Sequence, residues 1–414
     1  MTSPAATSAS PGLSVRTTEI DDDDPLLTLL PADDAVTWLR RDEGLVGWGV
    51  AASIRPRGIT RFSDANKWWA ETVARASIRD EVNEPGSGLV CFGSFAFADD
   101  PGDSVLTVPR VVVGRRAGRT WLTLVGDASY AGRGDAAEAP EDVVFSDGAM
   151  DGEHWMAVVA EAVRRISAGA VGKVVLARDL VATTARKIDV RWPLHRLAEN
   201  YPMCWTFYVD GLFGATPEML VRRERGLVTS RVLAGTIRRT GDDERDLALA
   251  AALARSSKDH EEHEYAVRSV ADALEPHCKS MNVPETPFVL HLPNVMHLAS
   301  DVAGVVHDAG TVSSLQLAAS LHPSAAVGGT PTREAVSLIA EIEGMERGRY
   351  AGPVGWMDTT GDGEWGIALR SAELAGNTVR LFAGCGIVAD SDPEAELAES
   401  QAKLVPVRDS LTAD

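Results

Sequence analysis

The stretch VGWMDTTGDGEWGIALRSAELAGNTVRLFAG, residues 354–384, decides the fold. VGWMD (354–358) and EWGIALRSAEL (364–374) flank Thr-Thr-Gly-Asp-Gly, and Ala-Gly-Asn leads into TVRLFAG (378–384). Apolar runs separated by such glycine-containing turns predict an antiparallel meander. Working outward, MLVRRERGLVTSRVLAG (219–235) and VPRVVVGRRAGRTWLTLVG (108–126) read as two further hairpins. VGWGVAASI (46–54), LVCFGSFAFA (89–98), KVVLARDLVAT (173–183), CWTFYVD (204–210) and FVLHL (288–292) are strand-like in composition. Helical spacing is clear over 153–168, where Trp155, Val158, Val159, Ala162, Val163 and Ile166 share a face. Residues 242–275 are also helical, with a break where Ser256 and Asp259 have capping-box-like spacing. Residues 131–150 read as a loop, and no internal repeat is present. Many antiparallel strands beside segregated helices predict an α+β fold rather than a doubly wound sheet.

The chain has 414 residues, 45% hydrophobic and 24% charged, an ordinary globular composition. Sixty acidic residues against 40 basic give a net charge of −20. That balance argues against nucleic acid and against an anionic membrane surface as partners. A small anionic substrate would need a local positive site to overcome the global field. Four cysteines, Cys91, Cys204, Cys278 and Cys385, lie far apart with no CxxC pair, which fits a reducing compartment. No run approaches the ~18 apolar residues of a membrane span, and the N-terminus shows no apolar leader core, so a cytoplasmic location is expected. Residues 1–15 are expected to be a disordered tail, and the acidic run Asp21–Asp24 extends its solvated character.

Several familiar motifs fail. Gly172-Lys173 is followed by Val174 and lacks the upstream glycine of a phosphate loop, and Gly384-Cys385-Gly386 lacks the third glycine of a dinucleotide fingerprint. His260-Glu261-Glu262-His263 places its second histidine at i+3, not the i+4 of a zinc-protease helix. No serine sits in a G-x-S-x-G elbow.

Three features remain. In Gly214-Ala215-Thr216-Pro217-Glu218 a glutamate follows a turn between two strands; it is a candidate general acid if burial raises its pKa, and otherwise a turn carboxylate capping amides. Glu262 opens one helix, while Glu396, Glu399 and Lys403, at i, i+3 and i+7, share a face of another. Carboxylates from two helices can clamp a hard cation, although either cluster alone also suits a solvated ion-paired face. Lys173 opens an apolar strand, where it is either a desolvated base or an edge lysine reaching water.

Taken together, KVVLAR (173–178), GATPEMLV (214–221), LAGTIRR (233–239), SKDHEEHE (257–264), LHPSAAVGGTP (321–331), GEWGIALRSAEL (363–374), LFAGCGIV (381–388) and ELAESQAKL (396–404) follow one another in a familiar order. They resemble the chorismate-utilising enzymes, which include isochorismate, salicylate, anthranilate and aminodeoxychorismate synthases. The resemblance is strong over about 150–405 and weak before it. It implies two large antiparallel sheets packed as a sandwich, helices outside and the active site in a cleft. Residues 16–150 would form a variable N-terminal part of the sandwich and 151–410 the chorismate-binding catalytic region, all one structural domain.

Carried over residue by residue, the resemblance implies that Glu262 and Glu399 bind Mg²⁺, with Glu396 acting on it directly or through water. Mg²⁺ would hold the ring carboxylate of chorismate. Arg370 would pair with the enolpyruvyl carboxylate, helped by backbone N–H groups around Gly384 and Gly386. Gly214, Thr236, His297, Ala326, Tyr350 and Lys403 fall at substrate-site positions; Tyr350 matches a tyrosine seen in salicylate synthases, where some isochorismate synthases have Phe.

Two positions distinguish members. Lys173 stands where water-using members keep their general base, and ammonia-using members typically have Gln. Water must be deprotonated to attack C2, whereas ammonia is already nucleophilic. Glu218 would then protonate the leaving C4 hydroxyl, so the pair needs a neutral lysine and a protonated glutamate. Ala326 fits the small apolar residue of isochorismate synthases, where salicylate and anthranilate synthases tend to have Thr; Val327 departs from the more usual Leu. The resemblance therefore implies Mg²⁺-dependent isochorismate synthase activity, with salicylate synthase the alternative, in a monomer needing no glutaminase partner.

Overall fold

The computed structural model describes residues 12–291, 295–307, 310 and 312–412; the side chains of Thr236, Lys258 and Glu262 lie outside the described set. The first third holds β1 (Ser14–Ile20), β2 (Ala35–Arg40), β3 (Glu43–Ile54), α1 (Arg61–Arg75), β4 (Ser77–Asp80), β5 (Val90–Ser94), β6 (Val105–Arg116), β7 (Arg119–Val125) and β8 (Val144–Asp147). The middle holds α2 (Gly152–Ser167), β9 (Lys173–Thr183), α3 (Arg191–Asn200), β10 (Trp205–Val209), β11 (Leu212–Thr216), β12 (Met219–Glu224), β13 (Leu227–Arg238), α4 (Asp243–Leu253) and α5 (Ser257–Leu274). Then follow β14 (Cys278–Asn282), β15 (Phe288–His291), β16 (Val295–Val306), α6 (Ser314–Leu321), β17 (Gly329–Thr330), α7 (Thr332–Ile342), β18 (Pro353–Asp358), β19 (Gly363–Ile367), β20 (Ser371–Ala375), β21 (Thr378–Ile387) and α8 (Pro393–Ser410).

This is an α+β fold, and every described strand pairing is antiparallel except β1 with β4. The two expected layers exist as two limbs of one hydrogen-bonded sheet. One limb runs β3–β2–β10–β11–β20–β21–β9 and the other β5–β18–β19–β12–β13–β16. They join at β6, whose one edge pairs with β3 while its other edge is shared by β5 and β7. The limbs face each other across an apolar layer holding Trp38, Phe207 and Leu212 from one side and Met219, Val354 and Trp356 from the other. Within it Trp38 donates its indole N–H to Glu364 on β19 at 2.8 Å, so even this layer meets its polar atoms. Helices α2, α3, α7 and α8 cover the first limb, and α4, α5 and α6 the second.

Three local readings need correction, the first being that residues 131–150 are not all loop, since β8 (Val144–Asp147) pairs with β9 there. Residues 364–374 are not one strand of a meander: β19 ends at Ile367, β20 begins at Ser371, and the halves belong to different limbs. The switch is made at Arg370, at φ 48°, whose carbonyl accepts the Ala215 N–H at 3.2 Å. A left-handed arginine is uncommon, so tertiary bonding rather than local preference sets this corner. The expected boundary of the tail at residue 15 also falls inside a strand, because β1 begins at Ser14 and Val15 is buried. The predicted cap holds: the Ser256 hydroxyl accepts from Asp259 N at 3.2 Å and starts α5.

One edge of β9 has an unusual construction. β17 covers it only at Lys173 and Val174, and β8 only from Leu180 onward. In the gap, side chains stand where a strand would. Arg347 donates to Val175 O at 2.6 Å, Glu343 accepts from Ala177 N at 2.8 Å, and the Trp155 indole donates to Ala177 O at 3.2 Å. Left unpaired, each buried backbone group would cost about 1–3 kcal/mol.

Candidate active site

Lys173 enters the site because β9 starts there and because the neighbouring strand leaves room. Gly384 and Gly386 lie on one face of β21, and a Cβ on Gly386 would come within 2.9 Å of Lys173 Cε. A Cβ on Gly384 would meet the Tyr350 hydroxyl at 2.9 Å, so the two glycines open space for two different side chains. Tyr350 is buried and stacked on Phe382 at 5.0 Å, and burial pushes its phenol above the ordinary range. Gly214 serves the same close packing elsewhere: a Cβ there would sit 2.5 Å from Arg370 O, where the chain passes from one limb to the other.

Lys173, Glu218 and Ala326 line one pocket, with Ile367 and Thr330 beside them. Glu218 follows β11, its N–H bonded to Thr216 Oγ1 at 3.2 Å and its carbonyl accepting Ile367 N–H at 3.1 Å. Burial pushes its carboxyl up to about 7, against the opposing pull of Lys173, Arg370 and Lys403. Those three basic side chains therefore surround one carboxyl group that retains its proton near neutrality. His297 stands on β16 opposite a bulge at Ala234–Thr236. Burial lowers it to about 4, the nearby Arg370 and Lys403 adding to the effect, so its ring is neutral.

At the other end of the site lie the acidic residues of α8. Oxygens of Glu396 and Glu399 and the Cys385 sulfur all lie within 4.8 Å of one another. Lys403 pairs with Glu399 at 2.7 Å and donates to Gly384 O at 2.8 Å. Burial acts to raise Glu399, but Lys403, backed by Arg238 and Arg370, holds it below the ordinary value. Glu396 is raised by burial and by the charge of Glu399, against a 2.8 Å hydrogen bond from Ser391. Two adjacent carboxylates, one ionised and one strained by its neighbour, are a donor set that suits a hard cation. The Cys385 thiol, pushed up to about 12 by burial, stays neutral and adds little to such a set.

The structure thus brings Lys173, Glu218, Ala326, His297, Tyr350, Arg370, Gly384, Gly386, Lys403, Glu396 and Glu399 into one neighbourhood. The side-chain roles expected of Thr236 and Glu262 lie outside the described residues. The near-zinc motif dissolves, since His260 bonds Ala254 O at 2.9 Å and His263 bonds Ser300 Oγ at 2.8 Å. Cys385 beside the carboxylates, Ser391 on Glu396 and the Glu343–Arg347 pair were not foreseen. Ser391 left a local trace, five residues before Glu396 ahead of a helix start, and Glu343 with Arg347 left only an i,i+4 spacing.

Comparison with known proteins gives a consistent picture. The sequence profile described as "Chorismate binding enzyme" matches residues 3–412. The chain is 33% identical over 449 residues to the salicylate biosynthesis isochorismate synthase of Pseudomonas aeruginosa, covering 97% of this chain and 91% of that one. It is 41% identical over 257 residues to isochorismate synthase DhbC of Bacillus subtilis, covering 59% and 64% of the two chains. The solved structure of MenF, the menaquinone-specific isochorismate synthase from Escherichia coli, superposes with a TM-score of 0.79 at 25% identity, over 98% of this chain and 96% of that one.

Proposed function

The chain belongs to the chorismate-binding enzyme family, and within it we propose that this enzyme is an isochorismate synthase, converting chorismate reversibly to isochorismate. The observation that carries this reading is the pairing of Lys173 with a proton-bearing Glu218 in one pocket. Relatives named isochorismate synthases support it.

In the proposed reaction Lys173 takes a proton from water as its oxygen bonds to ring carbon C2. The double bond shifts, the C4–O bond breaks, and Glu218 delivers its proton to the departing hydroxyl, which leaves as water. Arg370 holds the enolpyruvyl carboxylate, and neutral His297 adds no competing charge. Glu396 and Glu399, with Glu262, would hold Mg²⁺, which supplies positive charge to the ring carboxylate. The bare carboxylates would otherwise repel the substrate. Incubating the purified protein with chorismate should yield isochorismate with Mg²⁺ and almost none after EDTA treatment. Salicylate and pyruvate as the main products would replace this reading with a salicylate synthase, the alternative that Tyr350 favours.

The pH profile follows from the required proton on Glu218. As pH rises through about 7 that proton is lost, so the slope of log kcat/KM should fall by one unit there. A profile from pH 5.5 to 9 at saturating Mg²⁺ tests it, and an unbroken line across pH 7 refutes the assigned acid.

A further inference from the structure

We propose that the buried Glu343–Arg347 pair is a positioning element that sets Lys173 against the substrate ring, an inference that rests on Lys173 being the base. Glu343 and Arg347 are 2% and 5% exposed and lie four residues apart just beyond α7, in direct ion contact. Together they reach two segments, β9 and the loop before β17. Arg347 donates to Val175 O at 2.6 Å and to Val327 O at 3.0 Å, while Glu343 accepts Ala177 N–H at 2.8 Å. The Arg347 guanidinium also stacks on Phe97 at 4.2 Å, which fixes its plane.

The placement makes this more than a core ion pair. Val175 is two residues beyond Lys173 and shares its face of β9, while Val327 adjoins Ala326. The same loop is tied to β9 by Val175 N donating to Gly328 O at 2.9 Å and Gly172 N to Thr330 O at 2.8 Å. One planar guanidinium therefore spans the strand that carries the base and the loop that carries the pocket's small residue. A planar fork with several donors suits this task, and an ammonium would reach one carbonyl at a time. Because β17 covers only two residues of β9, no long strand ladder sets the register on this edge. The pair takes that place, and with it the distance from Lys173 to whatever ring occupies the pocket.

Two variants test this. Arg347→Lys keeps the charge but loses the fork, and the double variant Glu343→Met with Arg347→Met replaces the pair by apolar volume, a change buried pairs often tolerate. For both, kcat for isochorismate formation should fall about 10–100-fold, with KM for chorismate and the Mg²⁺ concentration for half-maximal rate within about twofold of wild type. The pH 7 bend should also move, because Lys173 is one of the basic groups whose position sets how firmly Glu218 holds its proton. If the double variant fails to fold, Arg347→Lys decides alone. A folded variant with kcat within threefold of wild type, or with its bend unmoved, overturns the proposal. If the wild-type protein itself makes no isochorismate, the functional reading falls first and separately.

Discussion

Lys173→Ala is expected to lower kcat for isochorismate formation by about 10²–10⁴ while leaving the fold intact. The side chain is half-buried at the first residue of β9, and the strand's pairing with β21 and β17 runs through backbone atoms that the substitution leaves alone. Little apolar surface is lost, so the melting temperature should stay within a few degrees. Mg²⁺ should bind as before, since Glu396 and Glu399 stand on α8 with their own partners, Ser391 and Lys403. What disappears is the acceptor for the water proton, and the remaining protonated Glu218 can still assist departure of the hydroxyl. The defect should therefore appear in kcat, not in KM. Steady-state kinetics with isochorismate quantified by chromatography checks this, and near-normal turnover would show that another group deprotonates water.

The contrast between Lys173 and its neighbours shows what a linear sequence reveals. The turns at Thr359–Gly363 and Ala375–Asn377 were legible because turn chemistry is local, and the hairpins β18–β19 and β20–β21 follow. The corner at Arg370 was not, because IALRSA (367–372) holds no glycine or proline to mark a break, and its geometry comes from Ala215 on a distant strand. β8 escaped notice for a related reason. Val144–Asp147 is a mostly exposed edge whose only distinguishing property is pairing with β9. In the site, Lys173 and Glu218 were each ambiguous alone, and only their ordered company of motifs gave them meaning. Glu343 and Arg347 carried only the i,i+4 spacing of an ordinary ion pair, since their β9 partners Ala177 and Val175 lie 166 and 172 residues away.

Glu218→Gln should move activity and stability in opposite directions. Glutamine keeps the shape and polar atoms of the side chain but has no proton to give, so turnover should fall about 10²–10⁴. Stability follows from the raised pKa. A carboxyl at 4.5 in the unfolded chain and about 7 in the folded one stays protonated in the fold while it ionises in the unfolded state. Folding is therefore penalised progressively as pH rises from 4.5 to 7, and the full penalty, roughly 3 kcal/mol at 1.36 kcal/mol per pKa unit, persists above 7. An uncharged glutamine at this position carries no such penalty. The variant should thus match wild type at pH 4.5 and melt a few degrees higher at pH 8. Thermal unfolding at both pH values, beside kinetics at pH 7, reads both halves. A gain equal at the two pH values would point to packing rather than charge, and a loss at pH 8 would mean that the ionised carboxylate is the form the fold prefers, which would disqualify Glu218 as the acid.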